Sequence, residues 1–271
     1  MCRLLGYLGP TTSLNSLILQ PSHSLVVQAY APKELEVALL NADGFGVGWY
    51  HPTESTDPFT YRNVMPIWND PNLEPLCRYI TTPCAIAYIR SATPGQAVDI
   101  SNCQPFQSGN LMFVHNGYIK QFREKLYRPM RNAMSDRIYA DIHGHTDSEH
   151  IWGLILTALA EQPSMSLETA LEKALSQLMA LAYEFDTPIA ANVLISDGER
   201  IVGSRLASHN RAPSLYWLRD DPQLSQAALV ASEPLFDGNW ESCEESSLFT
   251  ISASRDVQFH SLSHLRQPHA G

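Results

Sequence analysis

An α+β fold built on antiparallel strands is predicted by three observations. These are short apolar runs bounded by turn residues, a well-marked hairpin, and two long helical patterns grouped together rather than alternating with single strands. The strand-like runs are Arg3 to Tyr7, Gly46 to Tyr50, Cys84 to Arg90, Leu111 to His115, Ile189 to Ser196, Ile201 to Arg205, Leu215 to Leu218 and Ala227 to Ala231. Ser196-Asp197-Gly198-Glu199 supplies the turn between two of them, so Asn192 to Arg205 reads as a hairpin. Glu149 to Ala160 and Leu167 to Tyr183 place Leu, Ile, Met and Ala at spacings of three and four, the period of an amphipathic helix. The final fifteen or so residues are polar, end Gln267-Pro268-His269-Ala270-Gly271, and are expected to form a flexible tail.

The 271 residues hold no internal repeat and no low-complexity block, which favours a single domain over residues 1–271. Hydrophobic residues make up 44% and charged residues 17%, a globular composition that excludes disordered, collagen-like and disulfide-scaffold classes. A formal charge of -10 repels phosphate backbones and anionic membrane surfaces, so no nucleic-acid partner is expected. Cys2, Cys77, Cys84, Cys103 and Cys243 include no CxxC pair, which points away from a disulfide framework or a thiolate metal site. The N-terminus lacks a signal-peptide pattern, and no run approaches the ~20 apolar residues that span a bilayer. The expected location is the cytoplasm, with no membrane partner.

Several constellations could carry chemistry. Removal of Met1 would expose Cys2 as a mature terminus carrying both a thiol and an α-amine of ordinary pKa ~7.7–8.0, so nucleophile and base would belong to one residue. A small apolar cysteine in a first strand would look the same. Gly44, Gly46 and Gly48 are not a dinucleotide fingerprint, because Trp49 stands where the third glycine would be. Alternate glycines leave one strand face bare, either for a ligand or for tight packing between sheets. Arg90 ends an apolar run, and its fork suits a carboxylate, whether structural or on a substrate.

His115-Asn116-Gly117 marks the expected end of a strand. The Asn116 amide and the Gly117 N–H are the donor types of an oxyanion hole, although Asn-Gly is also a common turn. His143-Gly144-His145-Thr146-Asp147-Ser148-Glu149-His150 permits three readings. Thr146 and Glu149 match a helix capping box. HxHxDxxH approximates a zinc ligand run with two residues inserted. Asp147 could also present a carboxylate to a substrate ammonium.

In one order the chain carries Met1-Cys2-Arg3, Asp43-Gly44-x-Gly46-x-Gly48, Arg90-x-Ala92-Thr93-x-Gly95, His115-Asn116-Gly117 and Thr146-Asp147-Ser148-Glu149. This order resembles the class II glutamine amidotransferases, members of the N-terminal-nucleophile (Ntn) hydrolases. The resemblance implies a four-layer αββα sandwich with two antiparallel sheets. It also implies that Cys2 attacks a γ-glutamyl amide, that Asn116 and Gly117 form the oxyanion hole, that Arg90 and Asp147 bind the substrate α-carboxylate and α-ammonium, and that Thr93 lines the pocket. No cofactor or metal is implied.

Ser91 and Pro94 stand where the glutamine-hydrolysing synthases carry Trp and His, and the chain has no room for an acceptor domain. Both features are similar to the stand-alone branch that includes the γ-glutamyl amidohydrolase of ergothioneine biosynthesis and fungal glutathione-degrading subunits. The leading expectation is hydrolysis of a γ-glutamyl-cysteinyl sulfoxide conjugate. The alternative within the family is a general glutamine or γ-glutamyl peptide hydrolase, or a glutaminase subunit supplying ammonia to a partner enzyme; a homo-oligomer is left open. Outside the family stand a metallohydrolase and an abasic-DNA-crosslinking protein, the latter disfavoured by the acidic charge.

Overall fold

Residues Arg3–Ser13 form the first strand, β1, whose side chains alternate between two cores. Leu5 and Tyr7 face one, and Leu4 and Leu8 the other. This is the period of two expected of a strand covered on both sides. The computed structural model describes residues 2–34, 40–51, 53–92, 97–209 and 211–266. Among these, β1 is followed by α1 (Leu14–Ile18), α2 (Leu25–Tyr30), β2 (Phe45–Trp49), β3 (Phe59–Asn63), α3 (Leu73–Tyr79), β4 (Thr81–Ile89), β5 (Phe106–Ser108), β6 (Leu111–Ile119), α4 (Phe122–Lys125), α5 (Tyr127–Asn132) and α6 (Asp136–Ala140). The order continues with α7 (Asp147–Glu161), α8 (Leu167–Glu184), β7 (Ile189–Ser196), β8 (Ile201–Ala207), β9 (Tyr216–Asp221), β10 (Leu224–Ala231), β11 (Glu241–Ser242), β12 (Ser247–Ile251) and β13 (Val257–Ser261).

The strands form two antiparallel sheets, ordered β11-β9-β10-β1-β4-β2-β3 and β13-β12-β8-β7-β6-β5. Their inner faces meet through Leu4, Ile86 and Tyr88 of the first and Met112, Val114 and Leu194 of the second. Leu14, Leu17, Leu25 and Leu73, from α1, α2 and α3, cover the outer face of the first sheet. Ile151, Ile155, Leu171 and Leu178, from α7 and α8, cover the second. The result is the αββα sandwich that the resemblance implies, and the 192–205 hairpin is present as β7 and β8.

Two expectations are corrected. The strand expected to stop at His115 continues to Ile119, because His115, Asn116, Gly117 and Tyr118 pair in register with Val193, Asn192, Ala191 and Ala190 of β7. The His115-Asn116-Gly117 run is thus a strand segment and not a turn. Residues 257–261, expected to belong to a flexible tail, pair with β12 as an edge strand. Exposed Gln258, His260 and Ser261 give that edge the polar composition that reads as a tail. Residues 267–271 lie outside the described part.

One buried ionic cluster fastens the N-terminus. The Glu233 carboxylate, fully buried just after β10, pairs with the buried Arg3 guanidinium at 2.7 Å and with His23 Nε2 at 2.6 Å. It also accepts the backbone N–H groups of Lys33 (2.9 Å) and Glu34 (3.1 Å). Burial alone would raise its pKa, but these donors and the Arg3 charge outweigh that and hold it below the ordinary value.

Helix α7 opens as the sequence suggests, with the Thr146 hydroxyl accepting the Glu149 N–H at 3.3 Å. The reciprocal half of the capping box is replaced. Glu149 turns its carboxylate to the N–H groups of His143 (2.8 Å) and Gly144 (2.6 Å). One turn on, His150 is held neutral: its Nδ1–H donates to Thr146 O at 2.7 Å, and its Nε2 accepts from Arg131 Nε at 3.0 Å.

Burial, reinforced by the Arg131 charge, pushes the His150 pKa down from 6.5 to about 4. The unfolded chain therefore binds a proton that the folded one refuses, and stability is lost as pH falls from about 6.5 towards about 4. Chemical denaturation is expected to show about 2 kcal/mol less stability at about pH 5 than at about pH 7.5 from this group. A His150→Gln variant should lose that part of the pH dependence; an unchanged pH slope would refute the assignment.

Candidate active site

Six residues are expected to form a site, and five of them lie among the described residues; Thr93, with Pro94 and Gly95, does not. Cys2 precedes β1 and faces the space between the sheets, 8% exposed. Its Sγ accepts the Ser91 N–H at 3.3 Å and lies 3.5 Å from Ser91 O, so the thiol abuts the residue after Arg90.

Arg90, buried at the end of β4, hydrogen-bonds Asp43 O through a guanidinium nitrogen (3.4 Å). Its backbone bonds in both directions with the segment before β2, to Gly44 O (2.8 Å) and from Asp43 N (3.1 Å). The Asp43 carboxylate then accepts the Ala92 N–H at 2.8 Å, fixing the chain just beyond Arg90. The alternate glycines of β2 serve packing: a side chain at Gly46 would strike the Gln104 carbonyl, and one at Gly48 would strike the Met112 sulfur of the other sheet.

Asn116 projects inward from β6 and is fully buried. Its Nδ2 donates to Ser232 Oγ at 3.3 Å, while its Oδ1 has no hydrogen-bond partner. At Gly117 the Ala190 carbonyl occupies the place of a Cβ, so no other residue fits there without moving β7. Asp147 is the first residue of α7, and its carboxylate accepts the N–H groups of Ile119 (2.8 Å) and Ser148 (2.9 Å). These bonds tie the helix start to the end of β6, two residues past Gly117. A carboxylate has further lone pairs beyond these two bonds and can still take an ammonium.

Tyr88 is the residue around which the others meet. It sits two positions before Arg90 on the same face of β4, opposite Leu4 of β1, and shares the core between the sheets with Cys2. Burial and the adjacent Cys2 push the phenol well above its ordinary range, with Arg90 opposing and Asp147 adding to the rise. It is therefore neutral. Cys2, Arg90 and Asp147, which are far apart in the chain, thus share one electrostatic neighbourhood.

His115 points the other way, towards α7. Its Nε2–H donates to Ala190 O (3.1 Å), its Nδ1 accepts from the Ser148 hydroxyl (2.9 Å), and burial lowers its pKa, keeping it neutral.

The zinc reading of the 143–150 run does not survive the geometry. His150 is spent on Thr146 and Arg131, and no group of three or more His, Cys, Asp or Glu gathers among the described residues. A cavity of about 610 Å³ lined by Arg62, Ile138, His143, Glu149 and Trp152 lies apart; neither Cys2, Arg90, Asn116 nor Asp147 lines it. No helix among the described residues is long and apolar enough to cross a membrane.

Sequence reasoning assigns no role to Tyr88, Ser232, Glu233 or the Asp43 carboxylate. Only Tyr88 leaves a usable signal, since the period of two places it beside Arg90.

The sandwich has the Ntn-type fold, and the chain belongs to the class II glutamine amidotransferases, whose family model matches residues 1–270. The chain is similar to the gamma-glutamyl-hercynylcysteine sulfoxide hydrolase of Mycobacterium tuberculosis, 37% identical over 119 residues. That match covers 44% of this chain and spans about half (50%) of the relative's length. The equally named Mycolicibacterium smegmatis protein is 28% identical over 204 residues, covering 75% of this chain and 78% of that one. Among solved structures, a glutamine aminotransferase class-II domain protein from Silicibacter pomeroyi aligns with a TM-score of 0.71 at 26% identity, covering 96% of this chain and 99% of its own.

Proposed function

We propose that the protein is a cytoplasmic γ-glutamyl amidohydrolase with Cys2 as nucleophile. The observation that carries the reading is the placement of the Cys2 sulfur between the sheets against Ser91, the residue after Arg90, with Asn116 of the opposite sheet linked to β1 through Ser232. Removal of Met1 frees the Cys2 α-amine to take the thiol proton as sulfur attacks the amide carbon. The carbonyl oxygen becomes an oxyanion facing the Asn116 amide and the Gly117 N–H. The tetrahedral adduct collapses, the C–N bond breaks, and the leaving amine departs with the proton carried by the α-amine. Water then hydrolyses the γ-glutamyl thioester, releasing glutamate and the free thiol.

Arg90 and Asp147 take the α-carboxylate and α-ammonium, and Thr93 lines the same pocket. They identify the glutamyl head whatever lies beyond the amide. The names of the mycobacterial relatives support a γ-glutamyl-cysteinyl sulfoxide conjugate of a trimethylated histidine as substrate, the deglutamylation step of ergothioneine biosynthesis.

A glutamate-release screen across glutamine, glutathione and γ-glutamyl-cysteinyl sulfoxide conjugates, with mass spectrometry of the trapped acyl-enzyme, tests this reading. The sulfoxide conjugate is expected to be cleaved best, and release from none of them overturns the proposal. Asp147→Asn keeps an acceptor for the Ile119 N–H but removes the charge, so KM should rise roughly 10-fold or more with kcat little changed. An unchanged KM would remove Asp147 from substrate binding.

A further inference from the structure

We propose that Ser232 is a positioning residue that sets the distance between nucleophile and oxyanion donor, an inference that rests on the catalytic reading above. The nucleophile is carried by the first sheet and the oxyanion donor by the second. Stacked sheets lie ~10 Å apart with no backbone ladder between them, so their relative placement at the site depends on side chains.

Ser232 is fully buried just past β10 and is clamped to β1 on both sides of one residue. Its N–H donates to Leu4 O (3.0 Å), and its Oγ accepts the Leu4 N–H (3.0 Å). Leu4 is two residues from Cys2, on the same face of the chain. The same Oγ accepts Asn116 Nδ2 from the opposite sheet at 3.3 Å. One oxygen atom therefore touches both the strand that carries the nucleophile and the amide that would receive the oxyanion. From behind, Ser214 Oγ–H donates to Ser232 O (2.8 Å), and Asn192 and Arg205 hold the 213–214 segment through the Pro213 carbonyl (2.9 and 3.0 Å).

Ser232 supplies the one hydrogen bond of the Asn116 side chain among the described residues, and Asn116 Oδ1 is left without a partner. An amide so held has one Nδ2 proton committed to Ser232 and the other available. Removing the hydroxyl leaves a terminal torsion with broad, two-fold preferences, and displacements of ~0.5–1 Å are enough to cost rate at a catalytic centre. Substrate affinity should survive, because the glutamyl head is held by Arg90 and Asp147 instead.

The test is a double-mutant cycle of Ser232→Ala and Asn116→Ala, read by glutamate release, with melting temperature and iodoacetamide labelling of Cys2 followed in parallel. Ser232→Ala is expected to lower kcat roughly 10- to 100-fold with KM within about 2-fold. In the Asn116→Ala background it should cost no more than about 2-fold further, since the group it acts through is gone. Cys2 labelling should be unchanged in Ser232→Ala. If that variant folds poorly, Ser232→Cys, with a similar shape and a weaker acceptor, should reproduce the kcat loss. Equal losses in both backgrounds, or a rise in KM at constant kcat, overturn the role of Ser232. A wild-type protein that releases glutamate from no γ-glutamyl compound overturns the catalytic reading instead.

Discussion

Cys2→Ala is expected to abolish glutamate release, by at least ~10³-fold, while leaving the fold in place. The substitution removes one sulfur whose hydrogen bonds among the described residues are with the Ser91 backbone, and alanine fits a small buried site at the head of a strand. The remaining cysteines do not substitute. Burial pushes the Cys77, Cys84 and Cys243 thiols up to about 12, and Cys103 also upward, so they stay protonated and inert. The measurement is glutamate release alongside intact mass of the wild-type protein. The active species should begin at Cys2, and full activity in protein retaining Met1 would contradict the proposed base.

Glu233→Ala is expected to cost about 3–5 kcal/mol of folding stability, the usual cost of removing one partner from a buried ion pair. The variant leaves the Arg3 guanidinium buried without its counter-charge, and strands His23 and two backbone N–H groups. For a chain of this length the melting temperature should fall by roughly 10 °C. Because the carboxyl is held below its ordinary value, its contribution is complete above the usual carboxylate range and fades as pH falls through it. Wild type and variant should therefore converge in stability under acid. Arg3 also donates to the Cys2 carbonyl at 2.9 Å, so the variant should lose activity as well as stability. A shift below about 1 kcal/mol would show the cluster to be solvated in the native protein.

The layers are legible in the sequence wherever a strand is covered on both faces, as in β4 and β7, because burial forces long apolar runs between turn residues. The edges are not. Polar edge strands such as β3 and β13 carry little apolar signal, and the short helices α1, α2 and α3 gain their stability from packing on the first sheet. Within the site, Cys2, Arg90, Asn116 and Asp147 stand out by their order along the chain and not singly, since each type also has a structural use, as the Asp147 carboxylate has in accepting the Ile119 and Ser148 N–H groups. The run Ala231-Ser232-Glu233-Pro234-Leu235 also looks like the later strands of stand-alone members, but the roles of Ser232 and Glu233 lie in register. Only the pairing of β1 with β10 brings residue 232 to Leu4, and no spacing rule states which distant strands pair.

The central position of β1 also sets a timetable. Its β10 neighbour, Leu224–Ala231, is made roughly 220 residues later, which at ~5–20 residues per second leaves about 10–50 s of translation. Throughout that interval the head of the chain lacks one of its two flanking strands. Once β10 has paired along β1, Arg3 is sealed beneath Glu233. Closure around the head of the chain is thus an event of late synthesis.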